Sequence, residues 1–243
     1  MYEKYKKIFK DFVLNFNNND EDIEYKINHS YRVADLCVKI AKELNLTDED
    51  VEICYICGLF HDVGRFQQLT ETKSYDDFKF KDHGNYGAEI IERELGNVIT
   101  DNEQIKNILI TATKQHNKYK IEDVSEKELI FCRILRDADK IDTLQYWLVK
   151  MDGIYELNRK MVEDIKKLKP TTERYENDMD ILLRMLGFVF DINFKYSFEI
   201  LENRNIIASK LQLLEEHSNQ NIDDIRDTIN KYIQKKCLNS NCN

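Results

Sequence analysis

Four of the chain's five histidines, His29, His61, His83 and His116, fall in one stretch that also holds the dipeptide His61-Asp62 and ends at Asp139. The dipeptide closes an apolar run, VEICYICGLFHDVGR, where a helix would bury nearly every side chain. An imidazole and a carboxylate removed from water together need compensating partners. Nitrogen and oxygen donors converging on a divalent cation would satisfy them all at once, so the chemistry open to this set is that of a bound metal. One buried histidine is more often a satisfied core residue. Four on separate helices, one with an aspartate beside it, are not explained that way.

The elements that must carry these residues read as helices. Residues 2–17 form an amphipathic helix with Tyr5, Ile8, Phe9, Phe12 and Val13 on its apolar side, and NNNDED (17–22) breaks it. A second helix over about 26–44 has the stripe Val33, Leu36, Ile40 and Leu44, and His29 lies on that stripe. Thr47 to Asp50 opens a helix over 48–62 that leads through Cys54 and Gly58 to His61. QLTETKSYDDFKF and its surroundings (67–80) have no clean period and read as a loop covering the site. His83 shares a face with Gly87, Ile90 and Ile91. Thr100 with Glu103 predicts a capping box for a helix whose stripe, Ile105, Ile108, Leu109 and Ala112, runs on to His116. Ser125 with Glu128 predicts another, opening a long helix to about 150 that carries RDADKID (136–142). Periodicity does not choose between Asp137 and Asp139 there.

Composition sets the frame. One proline and seven glycines in 243 residues are too few turn residues for a sheet-rich fold, so the expectation is all-α. With neither repeat nor low-complexity linker, residues 1–243 read as one domain: a core over about 25–150 and a helical part over about 153–236, with a loose tail after Gln220. A net charge of -9 without a basic cluster argues against broad nucleic-acid binding. No apolar run approaches a membrane span, because Arg184, Asp191, Lys195 and Glu199 interrupt the aromatic stretch 182–201. The charged N-terminus does not read as a signal peptide. Six cysteines then suggest reduced thiols in a cytoplasmic protein. Cys54 and Cys57 form a C-x-x-C, but both lie mid-helix among apolar residues and read as core.

HSYRVADL (29–36), GLFHDVGR (58–65), DHGNYGAEII (82–91), KQHNK (114–118) and RDADKID (136–142) occur in the order H…HD…D. This pattern resembles the HD-domain superfamily of metal-dependent phosphohydrolases. The resemblance implies that the last ligand is the aspartate of the A-D-x-apolar element, here Asp139. Because His83 and His116 occupy the places of the two extra histidines, it also implies a binuclear site bridged by Asp62. One ion would take His29, His61, Asp62 and Asp139; the other would take Asp62, His83 and His116. Iron, manganese, nickel, cobalt and zinc all suit such donors. The cyclic-dinucleotide branch carries HHExxDGxGYP after the fourth motif. His116 is preceded by Gln115 and followed by NKYKIEDVSEKE, which argues against cyclic di-GMP hydrolysis.

The activity implied is hydrolysis of a small phosphorylated substrate, a phosphomonoester or phosphodiester, nucleotides included, by a metal-activated hydroxide. Asp62 and Arg65 are the candidate catalytic residues. Arg65 would clamp phosphate, with Arg32, Lys114 and Lys118 as further candidates for substrate oxygens. Asp142 is a candidate to orient a ligand histidine. Two other readings use the same residues: a di-iron oxygenase of the kind this superfamily also contains, and a non-catalytic metal-binding regulatory module.

Overall fold

The computed structural model describes residues 2–77 and 80–238. Every regular element among them is helical, as the scarcity of turn residues implies. The chain groups into two compact units, 1–139 and 140–243.

The first unit opens with α1 (Glu3–Val13), α2 (Glu21–Glu43), α3 (Asp48–Phe60) and α4 (Val63–Thr72). It continues with α5 (His83–Ile90), a π-helical turn (Ile91–Leu95), α6 (Gly96–Ile99), α7 (Glu103–Gln115) and most of α8 (Glu126–Tyr146). Its centre is α3, apolar on all sides and buried from Ile53 to Phe60, against which α2 and α7 pack. Gly58 allows that approach, since a Cβ there would stand 2.6 Å from Ala34 Cα and 2.8 Å from Ala34 N. On α2 the buried face runs Ile23, Lys26, His29, Val33, Leu36, Cys37 and Ile40, so His29 is carried inward by helical spacing. Cys54 and Cys57 are buried on α3, and burial pushes both thiols well above their ordinary range, which makes them core residues.

Several boundaries differ from the sequence reading. Helix α1 stops at Val13, and α2 begins at Glu21, where the Asp20 carboxylate caps the Asp22 N–H. Residues 67–72, expected as loop, belong to α4. The period was masked there because Gln68, a polar residue, is fully buried beside Phe66 and Leu69. Part of the expected covering loop, residues 78–79, lies outside the described residues. The cap of α7 is Asn102, whose Oδ1 accepts from Gln104 N and Ile105 N, while Thr100 ends α6. The Ser125–Glu128 box forms as expected, with Ser125 N donating to Glu128 Oε2 at 2.9 Å and Glu128 N to Ser125 Oγ at 3.3 Å. Helix α8 ends at Tyr146, short of 150.

The second unit holds the end of α8, then α9 (Arg159–Lys166), α10 (Asp178–Gly187), a 3-10 turn (Phe188–Asp191), α11 (Lys195–Asn203), α12 (Ile206–His217) and α13 (Asp223–Leu238). As far as Leu238, the tail is helical where a loose end was expected: Ile222, Ile225, Ile229 and Ile233 recur at helical spacing and are all buried, and residues 239–243 lie outside the described residues. Cys242 lies outside the described residues. No described helix is long and apolar enough to cross a membrane.

Candidate metal centre

Three of the histidines sit at helix ends, and that position orients them. The last carbonyls of a helix have no intrahelical donor. His61 follows α3 and its Nδ1 lies 2.8 Å from the Gly58 carbonyl; His116 follows α7 and its Nδ1 lies 2.6 Å from the Thr113 carbonyl. A carbonyl only accepts, so each ring carries its proton on Nδ1 and turns a bare Nε2 inward. His83 opens α5, and its Nδ1 lies 2.8 and 2.9 Å from the two carboxylate oxygens of Asp77. The same logic leaves its Nε2 bare.

These nitrogens converge on Asp62. Its Oδ2 is 3.5 Å from His29 Nε2 and 3.4 Å from His61 Nε2. Its Oδ1 is 3.6 Å from His83 Nε2 and 3.7 Å from His116 Nε2. Asp139 Oδ1 joins the first pair, 3.2 Å from His29 Nε2 and 3.8 Å from His61 Nε2. All six sequence candidates for metal ligation therefore meet in the first unit. His29, His61, Asp62, His83 and His116 are buried, and the Asp139 side chain keeps 21% of its exposure.

The donor set fits a divalent cation. His61 Nε2 and Asp62 Oδ1 are buried without a hydrogen-bond partner, a costly state for both. His83 Nε2 and His116 Nε2 stand 3.0 Å apart with their lone pairs facing, which is repulsive unless a cation lies among them. His29, His61 and Asp139 offer ligand atoms near enough to share one ion, as do His61, Asp62 and His116.

The electrostatics agree. Burial alone would raise the Asp62 pKa, but the Lys26 ammonium and the neighbouring imidazoles hold it well below the usual carboxylate range. Asp139 is likewise held low against its burial, by His29 and His61. Burial, reinforced by the Arg65 charge, lowers His83 to about 4, and burial lowers His116 as well. In His61 the burial effect is outweighed by Asp62 and Asp139, and its pKa rises, so in the metal-free protein a second proton competes with a cation for its Nε2.

The cations named from sequence have different surroundings. Arg65 Nη1 donates to Asp77 Oδ1 at 3.0 Å, the Tyr75 carbonyl at 2.9 Å and Gln68 Oε1 at 2.5 Å. Lys118 Nζ pairs with Asp82 at 2.7 Å, and Lys114 is exposed on α7. The Arg32 guanidinium lies 5.8 Å from the centre of the Tyr25 ring, which stacks on His29. Lys140 pairs with Asp191 at 2.9 Å, and Asp137 and Asp142 are both fully buried.

Sequence reasoning missed three residues. Lys26 is buried, with Nζ 2.5 Å from Asp62 Oδ2, and its signal was a lysine one turn before His29 on an apolar stripe. Arg136 is buried and its Nη1 donates to the carbonyls of Gln115, His116 and Lys118 at 2.8, 3.2 and 2.6 Å, pinning the chain around His116. Asp77 gave no signal, because it lies in an irregular segment whose partners are brought to it only by folding.

The HD-domain family profile matches residues 27–144, a span that contains all six residues of the centre. This stretch is an HD domain. Among curated proteins, the 3'3'-cGAMP-specific phosphodiesterase 1 of Vibrio cholerae serotype O1 is 38% identical over 52 residues, covering 21% of this chain and 12% of that protein. The chain thus matches only about an eighth of that relative's length. No solved structure gives a significant match.

Proposed function

We propose that the HD domain of this chain is a phosphohydrolase, acting on a small phosphomonoester or phosphodiester at a centre of two divalent ions bridged by Asp62. The observation that carries this reading is the division of labour within one carboxylate: Oδ2 faces His29 and His61, while Oδ1 faces His83 and His116. Asp139 would complete the first set. Ions held there would supply Lewis-acid stabilisation of a phosphoryl oxygen and a water more acidic than bulk.

The chain's own residues do the rest. Burial of the imidazoles keeps bulk water from their Nε2 atoms, and the Gly58 and Thr113 carbonyls hold His61 and His116 in one tautomer. Arg32, against the Tyr25 ring that stacks on His29, supplies positive charge beside the centre for substrate phosphate oxygens, while Lys26 is committed to Asp62 Oδ2. Lys118 and Lys114 stand as weaker candidates, one paired with Asp82 and the other exposed. The Vibrio relative's name puts a cyclic dinucleotide among the substrates to try. The missing HHExxDGxGYP after His116 argues against cyclic di-GMP in particular.

Elemental analysis of the purified protein beside His116→Ala, followed by a phosphoester panel that includes mono- and dinucleotides, tests the reading. The expected result is about two ions per chain in the parent, one in the variant, and phosphate-ester hydrolysis that His61→Ala and Asp62→Ala both abolish. Full hydrolysis by either of the latter would overturn it. Iron with oxygen consumption and no hydrolysis would favour oxygenase chemistry instead.

A further inference from the structure

His61, His83 and His116 each have a partner at Nδ1, and that of His83 differs in kind. His61 and His116 meet neutral main-chain carbonyls within their own helices. His83 meets a carboxylate from outside its helix: Asp77 Oδ1 and Oδ2 lie 2.8 and 2.9 Å from Nδ1, and the His83 main-chain N–H also donates to Oδ1 at 3.4 Å. Asp77 is itself held from α4 by two side chains one turn apart. Arg65 Nη1 and Gln68 Nε2 each donate to Oδ1 at 3.0 Å, and Arg65 Nη1 also donates to Gln68 Oε1 and the Tyr75 carbonyl. Asn117 Nδ2 stands 3.3 Å from the same ring nitrogen but is a donor, so it cannot take the Nδ1 proton; its own proton goes to Asp82 Oδ2 at 3.1 Å.

From this arrangement we propose that Asp77 is the positioning residue for the His83/His116 half of the centre, and that Arg65 with Gln68 serves to hold Asp77. The proposal rests on the two-ion reading given above. A carboxylate on Nδ1–H fixes the tautomer, locks the ring plane and makes the opposite nitrogen a better donor than a carbonyl would. Nε2 of His83 is thereby aimed at Asp62 Oδ1, 3.6 Å away, and at the space shared with His116. Arg65 Nε also lies 4.0 Å from Asp62 Oδ1, the oxygen that faces His83 and His116, so the network touches the centre on that side and the two halves should respond differently to its loss. The role of Arg65 moves accordingly, from gripping substrate phosphate to acting through Asp77. An Arg65 substitution should therefore weaken ion binding before it raises KM.

The test uses the full chain stripped of metal, titrated calorimetrically with manganese, for the parent, Asp77→Ala, Asp77→Asn and Arg65→Met. Nitrogen NMR of the metal-free histidine rings reads the tautomer directly. The expected result is two ions in the parent. In Asp77→Ala one of the two ions should lose affinity by roughly 10–100-fold while the other is unchanged. Asp77→Asn keeps an acceptor oxygen without its charge and should fall between, at an unchanged melting temperature; a merely structural role would leave its manganese affinity at the parent value. His83 should carry its proton on Nδ1 in the parent and become a tautomer mixture in Asp77→Ala. Two ions bound with parent affinity in Asp77→Ala, or an unaltered His83 tautomer, would overturn the proposal. A parent that binds one ion would defeat the two-ion reading instead, and the tautomer comparison would then decide the role of Asp77 alone.

Discussion

The closest backbone approach in the centre is at Gly64, two residues after Asp62, and replacing it tests the whole construction. A Cβ at Gly64 would stand 2.3 Å from the His83 carbonyl oxygen and 2.7 Å from Gly87 N. Both are main-chain atoms, so no side chain can swing aside. An ordinary contact begins near 3.4 Å, so in Gly64→Ala α4 and α5 must separate by roughly 1 Å. The Asp62 Oδ1–His83 Nε2 separation of 3.6 Å would then approach ~4.6 Å. Two ligands each about 2.1 Å from one ion can stand at most about 4.2 Å apart. The His83/His116 ion should therefore be lost, while the ion at His29, His61 and Asp139 stays. Overpacking of this kind costs about 1–3 kcal/mol, or a melting temperature lower by several degrees at this chain length. The assay is metal content after dialysis, taken well below the melting transition, with Gly153→Ala as control because a Cβ there meets nothing nearer than 4.0 Å. A Gly64→Ala protein with two ions and the parent melting temperature would refute the geometry on which the centre is built.

Two further outcomes follow from the charges. Lys26→Met leaves the buried Asp62 carboxylate without its ammonium partner, so the metal-free protein should lose about 3–5 kcal/mol; the metal-loaded protein should lose much less, because bound ions offset the same charge. Thermal melts with and without chelator check this, and an unchanged gap between the two states would count against it. In metal-free protein His83 is neutral in the fold down to about pH 4, whereas in the unfolded chain it titrates near 6.5. Below 6.5 the unfolded state binds a proton that the fold refuses, so stability should decline as pH falls from 6.5 to about 4, by on the order of 3 kcal/mol in full. Urea melts across that range should show a flatter profile in His83→Gln, and parallel profiles would contradict the assignment.

What could be read from the sequence and what could not divides along a physical line. Three of the candidate ligands were legible because they continue or end an apolar stripe: His29 lies on the buried face of α2, and His61 and His116 close the runs of α3 and α7. Charge-bearing residues on such faces stand out against a regular background. The choice of Asp139 over Asp137 came from family resemblance, since both lie on one helix and both spacings are helical. The supports were not legible, because their partners are remote in sequence and have no period. Lys26 reaches Asp62 across 36 residues, and Asp77 is paired with Arg65 and Gln68 from an irregular segment.

The same cause explains the misread segment 67–72. Gln68 and Arg65 look like surface residues by type, and a helix that turns them inward has no apolar period to reveal it. Both donate to Asp77, whose carboxylate in turn meets His83 Nδ1. The local pattern of α4 thus breaks at the place where the centre makes its demand. A helix that breaks its amphipathic pattern within one turn of a metal-ligand dipeptide is therefore a signal in its own right. It points to polar side chains that could serve the site from behind, which is the role proposed above for Arg65 and Gln68.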